Sequence, residues 1–105
     1  MNNDKYPVFT LCGSTRFKKE FEEIQKRLTL DGAVVLSVGV FGHADDDLPE
    51  NFEKIKVMLD EIHKQKIDMA DAIVVVNIGG YIGESTKSEI EYAKMKGKSI
   101  YYWED

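Results

Sequence analysis

The sequence has little of several features that decide a protein's class. Among its 105 residues there is a single cysteine, Cys12, so no disulfide can form within the chain. No apolar run is long enough to cross a bilayer, and no charged-then-apolar leader opens the chain. We therefore expect a cytoplasmic protein without a membrane partner.

Positive charge is also scarce. The chain has 14 Lys and Arg against 19 Asp and Glu, for a formal net charge of −5. A nucleic-acid polymer requires a basic surface that neutralises its phosphates, so we expect no such polymer as a partner. A single nucleotide is not excluded, because one arginine and one helix N-terminus can hold one phosphate.

The composition is that of a globular protein, with 43% hydrophobic and 31% charged residues. The length predicts one domain over residues 1–105. A domain of this size buries only a modest core. We therefore expect a homodimer or a higher homo-oligomer, with the aromatic run Tyr101–Trp103 in the core or at the interface.

Short apolar runs alternate with segments of helical periodicity. Strands are predicted at Val8–Cys12, Ala33–Leu36, Ala72–Val76 and Ile100–Trp103. Helices are predicted where apolar residues recur at helical spacing: from Phe17 to Leu28, from Phe52 to Ile62, and around Ile90 and Ala93. This order predicts an α/β, flavodoxin-like or Rossmann-like three-layer fold around a parallel sheet of about four strands, in the order 2-1-3-4. Ligands of such sheets bind where the strand order reverses, which here means the loops after the first and third strands.

The loop after the first strand reads Cys12-Gly13-Ser14-Thr15-Arg16. Gly13 lets a ligand approach the backbone, and the hydroxyls, the arginine and the free amides of the helix start suit an anion. The alternative is a serine or threonine N-cap on a surface helix, with Arg16 in solvent. Both interpretations stay open from the residues alone, and Cys12 is expected to be a buried strand residue rather than a nucleophile.

The loop after the third strand carries Gly79, Gly80 and Gly83, which indicates a tight turn or a close approach to a ligand. Glu89 is expected on the first turn of the following helix. The segment Thr86–Glu89 also has the form of a capping box, in which the glutamate would only satisfy a backbone amide. The pattern by itself favours the cap.

Other polar residues have weaker functional interpretations. Asp68 and Asp71 lie at the start of the third strand and are candidate caps, and His63 on the second helix is expected at the surface or an interface. His43 and the carboxylates of Asp45–Asp47 form a candidate metal cluster, but adjacent carboxylates cannot all face one ion without a dedicated loop. A solvated acidic loop is favoured, and we expect no metal and no organic cofactor.

Taken together, the two loops resemble the nucleoside 2-deoxyribosyltransferase superfamily, and above all its small members, the 2'-deoxynucleoside 5'-phosphate N-hydrolases. The resemblance covers about Val8 to Trp103. Cys12–Arg16 is similar to the hydrolases' Gly-Ser-x-Arg loop, Ala70-Asp71 opens a valine-rich strand, and Glu89–Ala93 matches a Glu-Ile-x-Tyr-Ala context. The stretch Gly83–Glu89 is also similar to the Gly-x-Gly-Thr-x-x-Glu motif of the cytokinin-activating phosphoribohydrolases.

The resemblance implies an enzyme that cleaves the N-glycosidic bond of a (deoxy)nucleoside or its 5'-monophosphate, or transfers the deoxyribosyl group. It implies that Glu89 is the nucleophile, and that the substrate contacts are Gly13, Ser14, Arg16, Gly83, Ser85 and Thr86. A carboxylate beside the anomeric carbon suits an oxocarbenium-like transition state.

One position departs from the family. An aspartate that assists the departing base is expected eight residues before the position of Asp71, and His63 stands there. His63 is therefore a candidate proton donor, since its ordinary pKa lies near neutrality. The same departure is compatible with lost catalysis, and the alternative function is a non-catalytic nucleotide-binding or sensor module of the same fold.

Overall fold

The structure, a computed structural model, describes residues 5–42 and 50–104. The described part contains four strands: β1 (Val8–Gly13), β2 (Val34–Leu36), β3 (Ala72–Val76) and β4 (Ser99–Tyr102). In the described part, the strands are connected by α1 (Lys18–Leu30), α2 (Phe52–Asp68) and α3 (Glu84–Met95). Short 3₁₀ turns at Thr15–Phe17 and Ile78–Gly80 precede α1 and α3.

The predicted fold class is confirmed. The four strands form one parallel sheet in the order β2-β1-β3-β4. The central pair keeps Cys12 opposite Val75 and Gly13 opposite Val76, so β1 and β3 end at the same edge. The strand order reverses between these two strands, which is where α/β sheets bind ligands.

Helices cover both faces of the sheet and so produce the three layers. On one face α1 packs Phe21 and Ile24 against Leu11, Val74 and Val76. On the other face, α2 and α3 pack against the sheet through a cluster formed by Cys12, Ile67, Ile73, Val75, Ile90 and Ala93. All five residues of β3 are buried, as its continuously apolar sequence predicts.

The edge strand β4 is more exposed than β3. Tyr101 and Tyr102 are 55% and 46% exposed, and Trp103 after the strand is 36% exposed. Tyr101 packs edge-on against Phe9 at a ring-centroid distance of 6.2 Å. These aromatic residues therefore lie at the surface of the single chain rather than in its core. Within residues 5–42 and 50–104, no helix has the length and apolar character that crossing a membrane requires.

Candidate functional site

A pocket of about 500 Å³ opens at the edge of the sheet where β1 and β3 end. Its walls come from the loop after β1, the segment after β2, helix α2 and the start of α3. Apolar side chains of Val38, Val40, Phe52 and Leu59 form part of the wall. The lining includes every residue for which the sequence suggested catalysis or substrate binding: Gly13, Ser14, Arg16, His63, Gly83, Ser85, Thr86 and Glu89.

The loop after β1 is ordered by its own hydroxyl. Ser14 Oγ accepts hydrogen bonds from the Arg16 amide at 3.3 Å and from Arg16 Nε at 3.1 Å. Ser14 is therefore the N-cap of the 3₁₀ turn, as one of the two sequence interpretations holds. Arg16 also stacks over the Tyr81 ring, 4.3 Å from its centroid, and one terminal nitrogen donates to Tyr81 Oη at 3.3 Å.

These contacts hold the Arg16 side chain in place, although it is exposed to solvent. Its partners in these contacts, Ser14 and Tyr81, are neutral groups. These contacts therefore do not neutralise the positive charge of the guanidinium, which lines the pocket. Such a group suits a substrate anion.

Gly13 is required for packing. A Cβ atom at this position would lie 2.8 Å from both the Cβ and the carbonyl oxygen of Val76 on the neighbouring strand. Close contact between β1 and β3 therefore explains the glycine, and its backbone still lines the pocket. In the second loop, Gly79 and Gly80 have φ angles of 65° and 82°, so they provide the tight turn that the sequence predicted.

The capping-box interpretation of Glu89 is wrong. Helix α3 begins two residues before Thr86, at Glu84, and its N-cap is Gly83, which makes no side-chain capping bond. Glu89 is accordingly on the second turn rather than the first. The capping-box pattern was misleading because the helix starts directly after Gly83. Thr86, which resembles a cap in the sequence, therefore already lies inside the helix.

Glu89 instead points into a small buried cluster. Its side chain is only 16% exposed, and Oε1 lies 3.8 Å from Nε2 of His63. The same Nε2 lies 3.5 Å from Sγ of Cys12, which is fully buried. The cluster joins β1, α2 and α3, three elements that are distant in sequence.

Burial changes the acidity of all three groups. Loss of solvent raises the pKa of Glu89 to about 7, with the Cys12 hydrogen bond opposing this and Asp60 reinforcing it. Burial lowers the pKa of His63 to about 4, and the positive charge of Lys66 acts in the same direction. The pKa of Cys12 rises well above its ordinary value, again chiefly through burial and then through Glu89.

His63 is buried, not at a surface or interface as the sequence suggested. It is 7% exposed and lies on the face of α2 that meets the sheet edge. The apolar residues Ile62 and Met58 on the same helix are 43% and 48% exposed. The prediction failed because a polar residue is ordinarily expected on the solvent-facing side of a helix. Here the pocket interrupts the apolar layer beneath α2, and His63 lies on the side of the helix that lines this pocket.

Sequence reasoning missed five polar residues of the pocket wall, one of which is Glu84, the first residue of α3. Lys56, Asp60 and Lys66 come from α2, and Tyr81 comes from the glycine-rich loop. Lys56 and Asp60 form an ion pair at 3.6 Å with both side chains about half exposed, and Lys66 Nζ donates to the Ser37 carbonyl at 2.6 Å. The helical spacing of Lys56, Asp60 and His63 was the available signal, since it puts all three on one helix face.

The remaining candidates lie elsewhere. Asp71 precedes β3 at the opposite edge of the sheet, where its carboxylate accepts from the Val8 amide at 2.8 Å. Asp68, at the end of α2, accepts from Tyr92 Oη at 2.8 Å. His43 and Asp45–Asp47 lie outside the described residues.

Two comparisons with known proteins bear on this site. A family model described as a domain of unknown function, DUF4406, matches residues 9–102. The match spans all four strands and both loops that form the pocket. A search of curated proteins found no match.

Proposed function

Because this chain belongs to the DUF4406 family, whose description names no activity, we propose its function from the pocket itself. We propose that it cleaves the N-glycosidic bond of a (deoxy)nucleoside or its 5'-monophosphate. Water as the acceptor gives hydrolysis, and a second base gives deoxyribosyl transfer. The resemblance to the nucleoside 2-deoxyribosyltransferase superfamily, and to its small hydrolases, motivates the choice of substrate.

One observation carries the proposal: a buried carboxylate, Glu89, lines a pocket that is large enough for a small ligand. Glu89 does not cap its helix. Burying a carboxylate reduces stability, and buried carboxylates with a raised pKa concentrate at functional sites. This supports a chemical role over the alternative of a non-catalytic nucleotide-binding module.

The chemistry follows from the position of this carboxylate. An oxygen of ionised Glu89 attacks the anomeric carbon as the bond to the base breaks, which gives a glycosyl ester and the free base. Water or a second base then attacks the same carbon and releases Glu89. The pKa of about 7 leaves a substantial fraction of Glu89 ionised near neutral pH.

The departing base needs a proton, and two residues of the pocket are candidates. His63 is the candidate that the resemblance suggests, but its pKa of about 4 favours a neutral imidazole that has no proton to spare at neutral pH. Asp60 lies one helical turn before His63 on the same wall of the pocket. We therefore propose that Asp60, which is about half exposed, passes a proton from solvent to the departing base, and that His63 is a neutral neighbour of Glu89.

Substrate phosphate is assigned to the two loops. Arg16 supplies positive charge, while Ser85 and Thr86 lie in the first turn of α3, where backbone amides attract anions. The apolar wall formed by Val38, Val40, Phe52 and Leu59 suits a flat base. We also propose that the chain works as a homo-oligomer.

The test is incubation of the purified chain with a panel of ribonucleosides, deoxynucleosides and their 5'-monophosphates, each with and without a second base. Chromatography measures released base and exchanged nucleoside. Base release from at least one deoxynucleoside compound is expected, and product with an exchanged base identifies a transferase. Binding of a nucleotide without any release of base would support the non-catalytic alternative.

A further inference from the structure

The cluster at the base of the pocket has the composition of a soft metal site. Cys12, His63 and Glu89 each offer one ligand atom, and these atoms all lie within 4.8 Å of one another. A thiolate, an imidazole and a carboxylate are ligands that Zn²⁺ accepts together, whereas Mg²⁺ and Ca²⁺ select oxygen. The ligand types therefore indicate a zinc-like ion.

Two of the three distances between ligand atoms fit the same ion, and the third, between Cys12 and Glu89, is at most 4.8 Å. Zinc–ligand bonds of about 2.0–2.3 Å in a tetrahedron separate neighbouring ligand atoms by about 3.3–3.6 Å. In the structure Cys12 Sγ and His63 Nε2 are 3.5 Å apart, and His63 Nε2 and Glu89 Oε1 are 3.8 Å apart. A shift of a few tenths of an ångström in the Glu89 side chain brings the second distance into this range.

The surroundings define how the ion would be held. His63 and Glu89 line the pocket, and Cys12 lies behind them with no exposed surface. The ion would thus have three protein ligands and one position open to the pocket, filled by water. The negative charge of Asp60 acts on both His63 and Glu89 and favours a cation, while Lys66 near His63 opposes it.

We propose that Cys12, His63 and Glu89 form a binding site for Zn²⁺, and that occupation of this site inhibits the enzyme. Binding forms one bond each to Sγ, Nε2 and a carboxylate oxygen of Glu89, and it releases to solvent the thiol proton and the proton of any Glu89 that is still protonated. The lone pair of Glu89 that would attack the anomeric carbon is then engaged by the ion. The inhibitory half of this proposal depends on the proposed function, but the binding half does not.

Binding is tested by titrating the reduced, chelator-treated protein with Co²⁺ alone and following its absorption spectrum. We expect one ion per chain, ligand-field bands with the intensity of a four-coordinate site, and a thiolate-to-cobalt charge-transfer band. Cys12 is the only cysteine, so this last band identifies it without any variant. Added Zn²⁺ should displace the Co²⁺ and abolish both sets of bands.

Two variants and a control locate the other ligands. Cys12→Ser should lose the charge-transfer band. Glu89→Gln should weaken Co²⁺ binding by more than the roughly 10- to 100-fold that loss of an outer partner costs. Glu91→Gln, on the same helix with a side chain 76% exposed, should bind Co²⁺ as the wild type does. Circular dichroism shows whether each variant is folded, and the wild-type spectrum decides the question if Cys12→Ser is not.

The outcomes separate the two proposals. Absence of a thiolate band in the wild type, or binding unchanged in Glu89→Gln, overturns the metal site. If the bands appear but no nucleoside or nucleotide releases base with or without chelator, the metal site stands and the proposed function fails. If base release occurs, Zn²⁺ should suppress it at the concentration that displaces Co²⁺, and chelator should restore it. Full activity at saturating Zn²⁺ overturns the inhibition.

Discussion

Nε2 of His63 lies 3.8 Å from Oε1 of Glu89, and burial shifts the pKa values of the two side chains in opposite directions. The carboxyl group of Glu89 titrates near 7, and the imidazole of His63 titrates near 4. Between these values both groups are largely neutral, so the contact is not an ion pair there. Above pH 7 an ionised carboxylate lies beside a neutral imidazole, which is the state that a nucleophile requires.

The pH dependence of stability tests this arrangement. A carboxyl group whose pKa rises from 4.5 to about 7 on folding stabilises the fold below about pH 4.5, and this contribution is lost as the pH rises through 7. With chelator present, Glu89→Gln should be more stable than the wild type near pH 8, by up to roughly 3 kcal/mol, and similar to it near pH 4. Urea unfolding at both pH values measures the difference.

The exposed Glu91→Gln variant is the matched control for this experiment and should follow the wild-type curve at both pH values. His63 titrates in both the wild type and Glu89→Gln, so the comparison isolates the glutamate. A Glu89→Gln variant that is less stable than the wild type at both pH values would indicate a structural carboxylate and contradict the assignment.

Variants of Asp60 and His63 should differ in how kcat depends on the leaving base. Asp60→Asn should reduce kcat by roughly 100- to 10,000-fold, the usual contribution of a general acid. The loss should shrink for substrates whose base departs readily without a proton. His63→Gln should reduce kcat equally for good and poor leaving groups, since the neutral imidazole gives no proton. Steady-state kinetics with a series of bases measures both patterns.

Glu61→Gln is the control for Asp60→Asn, because Glu61 is the next residue on α2 and is exposed. It should leave kcat unchanged. If the leaving-group dependence follows His63 instead, the histidine is the acid and the assignment to Asp60 is wrong.

Arg16 should discriminate phosphorylated from unphosphorylated substrates. Arg16→Ala should weaken binding of a 5'-monophosphate by about 1.5–3 kcal/mol, or roughly 10- to 150-fold, and change nucleoside binding little. Arg16→Lys keeps the charge but loses the planar contact with Tyr81, so an intermediate loss is expected. Isothermal titration calorimetry measures the affinity of each variant for a 5'-monophosphate and for the matching nucleoside. Equal losses of affinity for the two ligands would mean that Arg16 only orders its loop.

The exposed edge strand should mediate self-association. Tyr101, Tyr102 and Trp103 leave aromatic surface in solvent on the single chain, and such surface favours contact with a second copy. Light scattering should give the mass of a dimer or larger species. Tyr102→Lys, which leaves the contact between Tyr101 and Phe9 intact, should shift the mass toward the monomer. A monomeric wild type at high concentration would refute this prediction.

The fold was predictable because its signals are local. The continuously apolar run Ala72–Val76 allows only a strand that is buried on both faces, and the periodicity from Phe17 to Leu28 allows only a helix. Alternation of such elements restricts the sheet to a parallel order, which brings the ends of β1 and β3 together. The location of the pocket follows from this topology alone.

The details of the site depend on contacts that no local pattern contains. Glu89 resembled a cap because Thr86 precedes it at capping distance, yet the actual helix start depends on the glycine loop before it. His63 and Cys12 meet only because α2 crosses the end of β1. Asp60 was passed over for the same reason, since its place in the pocket wall depends on which face of α2 turns toward the pocket.

The most direct test of the central claim is base release by Glu89→Gln, measured by chromatography beside the wild type and Glu91→Gln on the best substrate of the panel. An amide cannot form the glycosyl ester, so Glu89→Gln should lose several orders of magnitude in kcat. It should still bind substrate through Arg16 and the loop after β1, and Glu91→Gln should match the wild type. Full activity in Glu89→Gln, or an equally large loss of activity in both variants, would contradict the assignment of Glu89 as the nucleophile.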